Sequence, residues 1–189
     1  MPQLISSSVS ADHQAKFVNP QEIISKLNME QGMVVADFGC GAGYFTLAAA
    51  RKIGEDGKVY SFDILPQKLE AVESQAKSSG LTNIITKRAN LENENGSRLA
   101  PESVDWVIMK DMLFQNKGKD LVLTEARRVL KTGGRALAIE WRPEDLSVGP
   151  DKELRISKEA LSGLAQRVGL AVEKEVEVGD FHYGLVFVK

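Results

Sequence analysis

The 189 residues include one cysteine, two histidines and few aromatic side chains. A lone Cys40 excludes an intrachain disulfide and any multi-cysteine metal site, so no metal is expected. No apolar run approaches the roughly 20 residues that cross a bilayer as a helix. Excess basic charge is missing too: the formal net charge is −2, which gives no electrostatic case for nucleic acid. The first residues, Met1 to Ser8, carry neither a basic start nor a hydrophobic stretch and do not read as a secretory signal. The cytoplasm is the expected compartment, and the oligomeric state is not legible.

What is present is ordinary for one soluble globular domain: 43% apolar and 26% charged residues, in a chain long enough to bury a sizeable core. Residues 1–19 are polar and Ser-rich and read as a flexible or loosely docked N-terminal arm. Residues 20–189 read as a single domain without repeat or linker. Asn19-Pro20 supplies a cap and a first helical residue, with Ile23, Ile24 and Leu27 on one face and a stop at Glu30-Gln31-Gly32. Strands are expected at 33–38, 58–64, 83–88, 103–109 and 135–141, and helices at 45–52, 66–79, 119–130 and 158–168. In the third of these helices Leu121, Val122 and Ala126 share one side, and Lys131 to Gly134 form a turn after it. Residues 170–178 and 183–188 suit a terminal hairpin. Strands alternating with helices imply right-handed crossovers and a doubly wound α/β sheet.

Glycines alternate in Asp37-Phe38-Gly39-Cys40-Gly41-Ala42-Gly43, directly after the first strand and at the opening of a helix. Glycine accepts positive φ and lets backbone approach a ligand closely, and the carboxyl end of a first strand is where such sheets bind ligands. Asp63 ends the second strand, placed to hydrogen-bond a ribose hydroxyl pair. The dinucleotide fingerprint fails, because Tyr44 and Thr46 stand where its last glycine would fall. No Gly-Lys-Ser/Thr follows, so the loop is not a phosphate cradle of the Walker type. A nucleoside without phosphates fits better.

Val34 to Gly43 resembles motif I of the class I S-adenosylmethionine-dependent methyltransferases, and Tyr60 to Asp63 resembles their second-strand acid. Ser103 to Met109 is similar to their fourth strand, and Val129 to Gly134 to the turn before the fifth. Among them, the chain is most similar to the small methyltransferase domain 25 or 31 proteins, the ubiquinone/menaquinone-biosynthesis-like and arsenite-methyltransferase-like group. The resemblance implies a Rossmann-like sheet of seven strands in the order 3-2-1-4-5-7-6, with strand 7 antiparallel. It also implies S-adenosyl-L-methionine as cofactor. Gly39, Cys40, Gly41 and Tyr44 would pass its methionine part, with Gly43 closing the loop and Asp37 anchoring the amino group. Asp63 would hold the ribose and Ile64 the adenine, while Asn90 and Leu91 would edge the ring. Lys110 and Asp111 would lie beside the transferable methyl. Two departures stand out. The arsenite enzymes use several cysteines, and Lys110-Asp111-Met112-Leu113-Phe114-Gln115 replaces the usual His-containing segment after the fourth strand.

Methyl transfer from a sulfonium needs positioned reactants and excluded water, and a base only if the nucleophile arrives protonated. Asp111 is one candidate, as a base or as a mere helix cap before Met112. Glu140-Trp141-Arg142 should face the pocket at the end of the fifth strand, with Trp141 and Arg142 as substrate contacts. If strand 7 is antiparallel, Asp180-Phe181-His182-Tyr183 falls on the same edge, offering His182 as a base and Tyr183 as a substrate contact. Cys40 reads as a small packing residue, since a nucleophilic cysteine should follow the fourth strand. An Asn/Asp-Pro-Pro-Tyr/Phe motif for base amino groups is absent. The expected acceptor is therefore a small molecule. The alternatives are an RNA or protein methyltransferase, or a cofactor-binding module that has lost transfer.

Overall fold

A computed structural model describes residues 15–189, so most of the expected arm, residues 1–14, lies outside the described residues. The strands are β1 (Val34–Phe38), β2 (Lys58–Asp63), β3 (Ile84–Arg88), β4 (Val104–Lys110), β5 (Leu130–Trp141), β6 (Ala171–Val176) and β7 (His182–Val188). They form one sheet in the order β3-β2-β1-β4-β5-β7-β6. The first five run parallel, and β7 is antiparallel between β5 and β6. This is the topology that the resemblance implied.

Among the described residues, five α-helices cover the sheet: α1 (Pro20–Ser25), α2 (Tyr44–Ile53), α3 (Pro66–Ser78), α4 (Lys119–Val129) and α5 (Lys158–Arg167). The central strands are buried on both faces because helices lie on both, which is why β1, β4 and residues 136–139 of β5 are mostly apolar. On one face Ile23, Ile24, Phe45 and Ala49 of α1 and α2 pack against Val35, Trp106, Ile108 and Leu137. On the other, Val122, Ala126 and Leu161 of α4 and α5 meet Phe38, Val107 and Ala136. Each fully buried Leu, Ile or Val contributes roughly 1.5–3 kcal/mol.

Three local expectations need correction. α1 ends at Ser25, not near Glu30, because the Lys26 amide turns back onto the Ile23 and Ile24 carbonyls. Leu121 is 48% exposed, one step off the i, i+4, i+7 face of Val122, Ala126 and Val129. Lys131 to Gly134 are not a free turn. They belong to β5 as an irregularity between the pairs Val104–Leu130 and Trp106–Arg135, and the amide of Gly133 donates to the carbonyl of Lys189.

Residues 15–19 run along the β6–β7 turn. The Lys16 amide donates to Asp180 Oδ2 at 2.8 Å, the Asp180 amide to the Lys16 carbonyl at 2.9 Å, and the rings of Phe17 and Phe181 are 5.2 Å apart. Asn19 Oδ1 then caps α1 by accepting from the Glu22 amide. Among the described residues, no helix is long and apolar enough to cross a membrane.

Candidate cofactor and acceptor site

A cavity of about 670 Å³ opens at the carboxyl ends of β1, β2 and β4. That is the size range of small-molecule sites. Its floor is the turn after β1. Gly39, Gly41 and Gly43 all have positive φ, of 73°, 53° and 82°. A Cβ on Gly39 would stand 3.1 Å from Met112 Cβ, whereas one on Gly41 would meet no protein atom within 4 Å. Gly39, Cys40 and Gly41 line the cavity, but Gly43 does not. Gly43 starts α2 and faces Val72 of α3 instead, where an added Cβ would lie 2.7 Å from Cγ2.

Two acids frame the turn. Asp63, half-buried, accepts the Gly41 amide on Oδ2 at 3.0 Å and the Leu65 amide on Oδ1 at 2.9 Å. Each oxygen keeps a further lone pair towards the cavity, enough for a hydroxyl pair. Asp37 lies deeper, accepting Thr46 Oγ1 at 2.5 Å, and Thr46 in turn meets Ser61 Oγ at 2.9 Å. Burial pushes its carboxyl up to about 6, against the opposing pull of the Thr46 hydrogen bonds. Thr46, at the place of a dinucleotide-type glycine, is thus the partner of the buried acid. Burial also pushes the Cys40 thiol up to about 12, with the Asp37 charge adding to it, so it is neither nucleophile nor metal ligand near neutrality.

At the mouth, Tyr44 and Ile64 are 65% and 53% exposed, apolar surface that a flat ring could cover. Leu91 is buried beneath, and Asn90 Oδ1 accepts the Glu92 amide at 3.0 Å, keeping its amide nitrogen for a ligand. All four line the cavity, as do Lys110 and Asp111 at the far end. Reading the sequence missed Met112, Gln115 and Asn116 there, and Val18 and Pro20 from the start of α1. Nothing local marks those residues as pocket-lining.

Asp111 sits in the left-handed region at φ 52°, a conformation that a non-glycine residue keeps only where its surroundings enforce it. Its amide donates to the Ile139 carbonyl, and its carboxylate pairs with Lys110 Nζ. His182 Nε2 lies 3.3 Å from Oδ2 in hydrogen-bond geometry, and 3.1 Å from Oδ1 outside it. The His182 ring packs against Trp141 at a tilt of 40°, with centroids 4.1 Å apart. Asp111 is no helix cap: the single 3-10 turn that follows, Leu113–Gln115, receives no side-chain bond from it.

Neither His182, which meets Asp111 from behind, nor the other substrate-side candidates line the cavity. Trp141 is half-buried between His182 and Gly149, where an added Cβ would sit 2.6 Å from the indole ring. Arg142 turns its backbone inward, its amide donating to the Phe181 carbonyl. Tyr183 lies in the core with its hydroxyl donated to the Ile156 carbonyl at 2.8 Å, and burial drives its ionisation far above the usual range. Glu140 is fully buried. Its Oε1 accepts the amides of Met112 at 3.2 Å and Leu113 at 2.8 Å, while Oε2 has no partner. Burial pushes its carboxyl up to about 7.

A family of methyltransferase domains matches residues 29–176. The chain belongs to that family. Demethylmenaquinone methyltransferase of Geobacillus stearothermophilus is 30% identical over 122 residues, which are 64% of this chain and 50% of that protein. Arsenite methyltransferase of Halobacterium salinarum is 27% identical over 65% of this chain and 32% of its own length. The match therefore spans about half, or less, of these curated relatives. Among solved structures, a SAM-dependent methyltransferase from Aquifex aeolicus superposes with a TM-score of 0.82 over 90% of this chain and 89% of the other, at 24% identity. At that identity the likeness speaks for the fold.

Proposed function

We propose that this protein transfers the methyl group of S-adenosyl-L-methionine to a small-molecule acceptor. The observation that carries the reading is the cavity bounded by the Gly39–Gly41 turn, Asp63 and Asp111, with a nucleoside-recognising acid at one end and an acid–imidazole pair next to the other. The donor set fits that cofactor. Free space over Gly41 admits the methionine chain, the carboxylate of Asp37 on the floor suits an ammonium group, and Asp63 suits a ribose diol. Of the residues lining this cavity, Lys68 and Lys110 are cationic, and Lys110 is already paired with Asp111.

When bound, the cofactor supplies an electrophilic methyl group on a sulfonium whose departure leaves a neutral thioether. The chain then has to place the acceptor in line and keep water out. Met112 and Leu91 provide apolar wall, and Asp111 with His182 can take a proton from an acceptor that arrives protonated. Lys110, paired with Asp111, offsets the charge of its carboxylate before the proton is taken.

Relatives are named for quinone precursors and for arsenite. Arsenite chemistry needs thiolates, and a single buried Cys40 with a raised thiol cannot provide them. An organic acceptor is the reading that the site supports. Calorimetry with S-adenosyl-L-methionine and with NAD tests the cofactor; tight NAD binding with none for the sulfonium overturns it. Label passing from the methyl-tritiated cofactor into a fractionated small-molecule extract tests the acceptor class, and label only in RNA or protein would redirect it.

A further inference from the structure

The Asp111 turn has to be held from outside, because its backbone is unfavourable by itself. Three strand ends converge on it. β4 delivers Lys110 and Asp111, β7 delivers His182, and β5 delivers Glu140. In the antiparallel register Trp141 lies opposite His182 and Glu140 opposite Tyr183. Alternation along β5 therefore sends Trp141 to the imidazole and Glu140 to the other face, beneath the loop after Asp111. There its Oε1 takes both amides of that loop, Met112 and Leu113.

A carboxylate accepting two consecutive amides is the usual side-chain cap of a helical turn, but here the cap comes from another strand, 27 residues away in sequence. Burying a carboxyl fully, with one oxygen unpartnered, is costly unless the bonds it makes are needed. Among the described residues no cation pairs with it. The charge that faces it most closely is Asp111, with Tyr183 beside it on β7 and Lys110 and His182 reached through Asp111.

We propose that Glu140 is the positioning residue of the acceptor side: by capping Met112 and Leu113 it holds Asp111 in its left-handed turn, where the carboxylate meets both Lys110 and His182. This rests on the assignment of Asp111 and His182 to the acceptor side. Glu140 touches neither ligand nor cavity and acts only through Asp111. It also accounts for an acid at the end of β5 that shows no face to solvent.

The test does not depend on any methyl being transferred. With only two histidines in the chain, His13 and His182, the ring resonances of His182 are assignable by comparison with His182→Ala. In Asp111→Asn those resonances move as the imidazole loses its anionic partner. Glu140→Gln keeps an acceptor oxygen for the two amides and should leave them near their wild-type positions. Glu140→Ala removes the cap and should carry them to the Asp111→Asn positions, with cofactor affinity changed less than about threefold and kcat lowered about 100-fold. Wild-type His182 resonances in Glu140→Ala overturn the proposal, as does a Gln variant that moves them as far as Ala. If the Ala variant does not fold, amide exchange at Leu113 decides. Slow exchange in both wild type and Glu140→Gln supports the cap, and fast exchange in wild type overturns it. A protein that passes these tests yet transfers no methyl group refutes the proposed function and leaves the positioning role standing.

Discussion

Asp63 accepts the backbone amide of Gly41, 22 residues before it, so the acid that ends β2 also pins the glycine turn that follows β1. Under the proposed function, ligand recognition and loop geometry would be joined in that one carboxylate. Asp63→Ala should weaken S-adenosyl-L-methionine binding by about 10- to 100-fold, the range for losing hydrogen bonds to a charged group. Asp63→Asn, which keeps one acceptor oxygen, should lose less. Calorimetry checks this, and equal losses for the two variants would count against a hydroxyl-binding role.

Gly43 is required by packing, not by the ligand. At φ 82°, with Val72 Cγ2 2.7 Å from its would-be Cβ, Gly43→Ala combines backbone strain with overlap. A loss of about 2 kcal/mol is expected, or on the order of 5 °C in Tm. Adding Val72→Ala should relieve the overlap and leave the strain. If the double variant melts below the sum of the two single losses, the contact is not what Gly43 avoids.

Two buried acids set the pH dependence of stability. Glu140 is raised from 4.5 to about 7 and Asp37 from 3.8 to about 6, in both cases chiefly by burial. Between each ordinary value and its raised one the unfolded chain has released a proton that the folded chain keeps. Raising the pH through that window therefore favours unfolding. For Glu140 the cost by neutrality is on the order of 3 kcal/mol. The advantage of Glu140→Gln over wild type in Tm should grow from about pH 5 to about pH 7.5. A gap that stays constant across that range would mean that Glu140 is not raised.

Arg155 organises the loop that covers Trp141. Its guanidinium makes five hydrogen bonds to the backbone carbonyls of Arg142, Glu144, Val148 and Pro150, with no carboxylate group among the acceptors. Arg155→Ala should destabilise by about 2 kcal/mol and expose the Trp141 indole. Acrylamide quenching of tryptophan emission would report it, because Trp106 is buried at 2% exposure and stays silent. Unchanged quenching would show that the loop stands without its clamp.

The glycine-turn end of the cavity was readable because its signals are local. Asp37, Gly39 and Gly41 stand within five residues, and the backbone conformation they need is a property of glycine wherever it occurs. Asp63 was legible from spacing alone, since a βαβ unit has a characteristic length. Gly43 illustrates the limit: the same conformational signal serves a helix start packed on Val72, and sequence cannot tell a glycine kept for a ligand from one kept for a neighbour.

At the acceptor end, alternation within a strand was the difficulty. Glu140, Trp141 and Arg142 all read as pocket-facing from the topology, yet consecutive strand residues point to opposite faces, and only the register with β7 decides which is which. Tyr183 and His182 divide in the same way, one into the core and one against Asp111. Leu121 missed the buried face of α4 for the helical version of that reason.

The sequence by itself determined the doubly wound sheet and the glycine turn with its two acids, because short-range patterns specify strands, helices and turns, while the strand order followed from the family resemblance that the motifs carry. Only the tertiary structure decided that Asp111 meets His182 across 71 residues, and that Glu140 caps the loop between them. Those contacts depend on register and on which side chain is buried. Both are set by packing among strands that the chain brings together from its middle and its end.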